Sequence, residues 1–409
     1  MLVSKTYWLG MPFWYRRAPE AAHVDALLLR AHDMRQLRAL WWTPAGTPKP
    51  RVGVVAMHPR VDFAHHYAIP RLLAAGFGVM AATARHAGND TLSEYEELVL
   101  DVGACVRWLL ERGGCERVVL LGNCGGASLM AYYQAQARLP VAQRTTRTPS
   151  GAPTFFDGAA LHPAHAMVYV APHRGLGKVT MDAMDASVVD ERDPLSCDAA
   201  LDIYDARNGF RPAPAWSEYG ADFLARYRDA QRARVARLDA HARERIAARD
   251  AAAARGDDRA RVAEEIMVVY RTMANPACVD RAIDPSGRDY GALLSERPDL
   301  MNYAALGMAR TCTPRAWLST WSGLSSKADV VANVAGIAEP TLLVAAGRDR
   351  EIFPADIAAI AGALTAADRR VDTIADARHY FEPEPGAKDG GHVDALMDVV
   401  VPWLQERVC

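Results

Sequence analysis

Residues 117–127, RVVLLGNCGGA, leave the chain little choice of structure. Val118 to Leu121 form a short apolar run of the kind that makes a buried strand, and they run directly into Gly122-Asn123-Cys124-Gly125-Gly126. SLMAYYQAQA follows, with its apolar residues at helical spacing. Strand, tight turn and helix in that order force the turn residue into an unusual backbone conformation and bring strand and helix close together. Glycines on both sides of Cys124 meet that demand. The position of Cys124 also matters chemically. At a helix N-terminus, unpaired amides and the positive end of the dipole favour a thiolate and can receive a developing oxyanion. The alternative is a small buried cysteine in an ordinary turn.

The surrounding pattern repeats strand and helix. Arg51 to Met57 reads as a strand that exits into His58-Pro59-Arg60, and Tyr67 to Ala75 as a helix. Phe77 to Ala82 is a second strand and Leu92 to Arg112 a long amphipathic helix leading to the Cys124 strand. Asp157 to Leu161 reads as the next strand, exiting into His162-Pro163-Ala164-His165. After a long interval the pattern resumes: Pro340 to Ala346 exits into Gly347-Arg348-Asp349, Ala355 to Leu364 is a helix, and Arg370 to Ile374 exits towards His379. A final helix covers Val393 to Arg407. This alternation implies an α/β protein with a mostly parallel central sheet and helices on both faces.

The interval interrupts one core rather than starting another. The expected organisation is an N-terminal extension over 1–50, a first core part over 51–166, a mainly helical insertion over 167–337 and a second core part over 338–409. Within the insertion, Trp216 to Arg255 and Asp258 to Met273 read as helices. The arginines of the first are interleaved with acidic residues, as on a solvated helix face. A net charge of -2 gives no global reason to expect nucleic acid. No segment has the ~18 uncharged apolar residues of a membrane span, and the aromatic N-terminus is too interrupted for a secretion signal. Seven cysteines with no CxxC pair argue against a disulfide framework or zinc site and for a reducing, cytoplasmic setting.

A nucleophile after one strand, a carboxylate after a later one and a histidine after the last stand in nucleophile–acid–histidine order. With GNCGG at 122–126, AGRD ending at Asp349, ARHYF around His379 and the His58-Pro59 loop, the chain resembles the α/β-hydrolase fold superfamily, in particular esterase-like members with a Gly-Asn-Ser-Gly-Gly turn. Cysteine in place of serine is its departure from them. The resemblance covers residues 50–166 and 338–408 and implies the α/β-hydrolase fold, the stretch between being a large cap.

The chemistry of the residues then suggests roles. Cys124 is the nucleophile, His379 the base and later acid, and Asp349 the group that orients it. His392, just before the last helix, is the rival base. Asp376 is the rival acid, although it shares a loop with His379. The amides of Gly125 and Arg60 are the expected oxyanion donors, since Pro59 has no N–H. His58 either lines the site or shapes its turn. His162, Trp317 and Trp321 are candidate pocket residues, the last two equally able to pack the insertion onto the core. His162 and His165 lack further ligands for a metal, and neither metal nor cofactor is implied. The reading is a hydrolase of an ester, lactone or thioester with an apolar or aromatic acyl group. Acyl transfer to an amine, alcohol or carbon acceptor is the alternative, followed by carbon–carbon hydrolysis or ligand binding without catalysis. The substrate would be a small molecule, and a monomer and a homodimer are both open.

Overall fold

The computed structural model describes residues 18–384 and 391–409, so the aromatic N-terminal segment lies outside the described residues. Eight strands form one sheet: β1 (His23–Arg30), β2 (Gln36–Thr43), β3 (Val52–His58), β4 (Gly78–Thr83), β5 (Arg117–Asn123), β6 (Ala166–Val170), β9 (Thr341–Ala346) and β10 (Arg369–Ile374). Their spatial order is β1-β2-β4-β3-β5-β6-β9-β10. β2 pairs antiparallel with both β1 and β4, and every pair from β4 to β10 is parallel. Residues 23–43, within the segment expected as an N-terminal extension, therefore supply two strands of the central sheet. The alternating QLRALWWT is a half-buried strand, with Leu37, Ala39 and Trp41 turned inward.

Period-two alternation sorts the sheet residues between two apolar layers. Val55, Met57, Leu120, Met167, Tyr169 and Leu343 face the layer that contains α2 (Tyr95–Glu111) and α3 (Gly125–Arg138). Val54, Ala56, Val119, Leu121, Val168 and Val344 face the other, with α1 (Ile69–Ala74) and the C-terminal helix Val393–Val408. The central strands have no exposed face, which explains why they read as unbroken apolar runs.

The strand expected at 157–161 is absent; β6 begins at Ala166, directly after His165. Asp157-Gly-Ala-Ala-Leu is poor in β-branched and aromatic residues, and Pro163 cannot donate to a ladder, whereas AMVYV has the composition of a strand. The shift reverses the position of the histidines. His162 and His165 precede β6, at the end of the sheet away from Cys124, and His162 is exposed. His165 is held there by Val118 at the start of β5, whose amide donates to its Nδ1 at 3.1 Å.

Residues between β6 and β9 form the insertion. It contains α4 (Leu176–Ala183), the 34-residue α5 (Ala221–Ala254), α6 (Asp258–Val262), a two-stranded ribbon of β7 (Met267–Val268) and β8 (Thr311–Cys312), and short helices α7 (Pro298–Met301), α8 (Pro314–Ala316) and α9 (Val330–Val334). α10 (Pro354–Ala363) and α11 (Val393–Val408) complete the chain. The helix expected over 258–273 stops at Val262, and the chain runs on through a largely exposed stretch into β7. Arg271, beyond it, has a positive φ of 57° and a guanidinium 2.8 Å from the carboxylate of Asp185, both side chains being buried. Arg245 and Arg249 on α5 pair with Glu265 and Glu264 at 2.7 and 3.2 Å.

Candidate active site

Register puts the C-terminal ends of β3, β5, β6, β9 and β10 along one edge of the sheet, where parallel α/β sheets bind ligands. At the end of β5, Cys124 adopts φ 55° and ψ −125°. A non-glycine residue in such a region costs on the order of 1–3 kcal/mol and persists only where its surroundings enforce it. Here the Cys124 amide donates to Val170 O at 3.0 Å, and Asn123 Nδ2 donates to the same oxygen at 2.9 Å. Asn123 Oδ1 accepts from Tyr67 Oη at 3.0 Å. The flanking glycines are required by close approach. A Cβ at Gly122 would lie 2.6 Å from Ala127 Cα, and one at Gly126 would lie 2.6 Å from the Met57 carbonyl oxygen. α3 can thus start immediately after Cys124.

Asp349 follows β9 and is fixed by its own loop: Oδ1 accepts the amides of Glu351 and Ile352 at 2.8 and 3.1 Å. Oδ2 lies 2.7 Å from His379 Nδ1. Both residues are almost fully buried. Burial opposes a charge on His379, but Asp349, and after it Cys124, outweigh that penalty and hold its pKa well above the ordinary value. Nε2 has no hydrogen-bond partner of normal geometry, and Cys124 is close enough to act on the ring by charge and by contact. Asp376 is exposed. His392 sits at the start of α11, its amide donating to Phe381 O at 2.8 Å and its carbonyl accepting from Leu396.

The loop after β3 differs from expectation. The Arg60 amide, expected to point at an oxyanion, donates to His58 Nδ1 at 3.0 Å, as does the Val61 amide. His58 holds the turn and occupies the donor that the sequence assigned to the site. The Arg60 side chain is nevertheless close by. Its guanidinium meets Asp90 through two hydrogen bonds at 2.8 and 2.6 Å and lies 5.2 Å from the centre of the Trp321 ring. Burial works against its charge, yet Asp90, then Glu351 and Cys124, raise its pKa.

His173 was not read from the sequence, because the strand before it was placed too early. The available signal was AMVYV followed by Ala171-Pro172-His173, which parallels β3 and His58-Pro59. His173 Nδ1 accepts the Gly175 amide at 3.1 Å. Glu351, two residues after Asp349, was also missed; burial pushes its carboxyl up, against the pull of His379. It borders a small apolar cavity whose walls include Met273, Leu293, Leu294, Met308 and Phe353. Trp317 is fully buried and donates to Asp239 on α5 at 2.8 Å. Trp321 lies beneath Arg60. Their segment packs the insertion onto the core, with Ser319 Oγ accepting the Tyr95 amide at 2.8 Å and Thr320 donating to Ser93 O at 2.6 Å.

No protein-family model matches the chain, and no curated protein matches it in sequence. Solved structures do match it. An alpha/beta hydrolase, GrgF from Penicillium sp. sh18, aligns at a TM-score of 0.50 and 12% identity over 94% of this chain and 99% of its own. DcsB, solved in complex with its substrate analogue, aligns at 0.50 and 12% over 95% and 100%. A Pyrococcus furiosus esterase aligns at 0.48 and 11% over 100% and 99%. The chain has the α/β-hydrolase fold. Cys124, Asp349 and His379 follow the C-terminal ends of β5, β9 and β10, the edge at which open parallel α/β sheets generally bind ligands. Among the described residues, no helix is long and apolar enough to cross a membrane, and no group of three or more His, Cys, Asp or Glu is placed to hold a metal ion.

Proposed function

We propose that the protein is an acyl hydrolase acting on an ester, lactone or thioester through a Cys124–His379–Asp349 triad. The observation that carries the reading is the strained Cys124, held at the helix N-terminus beside the unpartnered Nε2 of a histidine whose other nitrogen is fixed by a buried carboxylate. His379 takes the thiol proton. The sulfur lone pair then attacks the acyl carbon while the carbonyl electrons move to oxygen, towards the first-turn amide of Gly125. Collapse restores the C=O bond and expels the alcohol or thiol, which leaves with the proton from His379. Water, deprotonated by the same imidazole, clears the thioester. The elevated pKa of His379 suits it to this work, since a stronger base matches a thiol. The apolar cavity beside Glu351 supports an apolar acyl group.

The test is intact-protein mass after exposure to p-nitrophenyl esters and acyl thioesters. An acyl adduct on the wild type and none on Cys124→Ala is the expected result, with water clearing the adduct. Release only on adding an amine or alcohol would make the protein an acyltransferase. Product release without a Cys124 adduct, or unchanged in Cys124→Ala, would refute the triad.

A further inference from the structure

Three imidazole Nε2 atoms around Cys124 are buried without a hydrogen-bond partner: those of His58, His173 and His379. His379 is the base of the proposed triad. The other two share a different construction. Each uses Nδ1 as an acceptor for backbone amides, from Arg60 and Val61 at His58 and from Gly175 at His173. A neutral imidazole whose Nδ1 accepts carries its proton on Nε2. Burial, and after it a neighbouring histidine, keeps both rings neutral, pushing His58 well below the ordinary value and His173 down to about 3. Both Nε2–H groups are therefore donors, with no lone pair left for a metal, and they remain donors across the pH range of an active enzyme.

They also converge. A Cβ built on Gly125 would lie 2.8 Å from His58 Nε2 and 3.0 Å from His173 Nε2. Gly125 follows the nucleophile directly, and its amide opens α3. A buried donor with no acceptor loses its hydrogen bonds to water without compensation. Two such donors aimed at one point beside a nucleophile are a preorganised site for an oxygen that becomes negative.

We propose that His58 and His173 donate from Nε2 to the acyl oxygen of the substrate, forming a side-chain oxyanion site beside the Gly125 amide. This rests on the Cys124 reading. During attack the C=O electron pair moves onto that oxygen and the two N–H groups share the negative charge; both protons stay on their nitrogens. When the intermediate collapses the pair returns to the C=O bond. The Arg60 amide takes no part, because it holds His58 in place.

Asparagine and glutamine divide the two tasks of each histidine. Asn places an acceptor near the position of Nδ1 but has no group at Nε2; Gln places an N–H₂ near Nε2 but no acceptor at Nδ1. His58→Asn, His58→Gln, His173→Asn and His173→Gln would be compared with the wild type in two reactions followed on the Cys124 peptide. Acylation by p-nitrophenyl acetate develops an oxyanion. Alkylation by iodoacetamide requires the same sulfur and develops none. Each Asn variant should lose about 10²- to 10³-fold in acylation, the loss seen for one oxyanion donor, with alkylation within about twofold of wild type, and the Gln variants should lose about tenfold or less. In urea the order should reverse, with the Gln variants unfolding at lower concentration. Parallel losses in acylation and alkylation would reduce both histidines to shaping the turn and overturn the proposal, as would unchanged acylation in the Asn variants. Absence of acylation in the wild type itself would instead overturn the Cys124 reading and this inference with it.

Discussion

Replacing Gly126 by alanine probes how the turn at Cys124 is built. The added Cβ would stand 2.6 Å from the Met57 carbonyl oxygen. An ordinary carbon–oxygen contact needs about 3.3 Å, so helix and strand must separate by roughly 0.7 Å. Neither side yields easily, since Met57 is the penultimate residue of a central strand and Gly126 lies in the first turn of α3. Overpacking of this kind costs about 1–3 kcal/mol, against a gain of at most ~1 kcal/mol from alanine's helix propensity. Gly362 in α10 is the control, because a Cβ there meets nothing within 4 Å and the propensity gain, about 0.5 kcal/mol so near the helix end, stands alone. Urea denaturation should place Gly126→Ala about 1–3 kcal/mol below Gly362→Ala. The rate of Cys124 acylation should fall up to ~10²-fold in Gly126→Ala alone, because a shift of that size displaces the sulfur from its line of attack. Equal stability and equal rates in the two variants would refute the account of why glycine stands at 126.

Two further outcomes arise from buried charge. His66 and His173 are kept neutral by burial, with pKa values about 4 and about 3. The unfolded chain binds protons at these positions below about 6.5 while the folded chain does not, so stability is full above pH 6.5 and falls as pH drops towards those values, by up to ~1.4 kcal/mol per pH unit per histidine. His379 has the opposite sign: its raised pKa contributes stability fully below about 6.5, lost as pH rises through the folded value, so it adds nothing to the acid slope. Urea titrations between pH 4 and 6.5 should show His173→Asn with a slope shallower by about one histidine, and equal slopes would contradict this. In the insertion, Arg271→Met leaves Asp185 buried with Asn302 and Ser187 as its side-chain partners among the described residues, and should cost about 3–5 kcal/mol. A loss below about 1 kcal/mol in urea would show that the pair does not hold the insertion together.

Sequence alone determined the turn at Cys124. Short-range sterics decide it, and glycines at 122 and 126 with cysteine between them satisfy few backbones other than strand–turn–helix. It likewise determined the parallel strands, because buried strands are nearly uniform apolar runs, and it set the chain order Cys124, Asp349, His379. Tertiary structure decided what depends on distant partners. The strand at 166–170 was misplaced because an Ala-rich segment and a β-branched one compete locally and only pairing with β5 and β9 chooses between them. That one error moved His162 and His165 to the wrong end of the sheet and concealed His173. The donor assigned to the Arg60 amide went to His58, since a ring nitrogen two residues away is nearer than any substrate. Trp317 and Trp321, ambiguous by composition, are buried where α5 and Arg60 meet them. Local chemistry thus singled out Cys124 as the proposed nucleophile. The neighbours with which it could react were set by chain segments separated in sequence and brought together at one edge of a sheet.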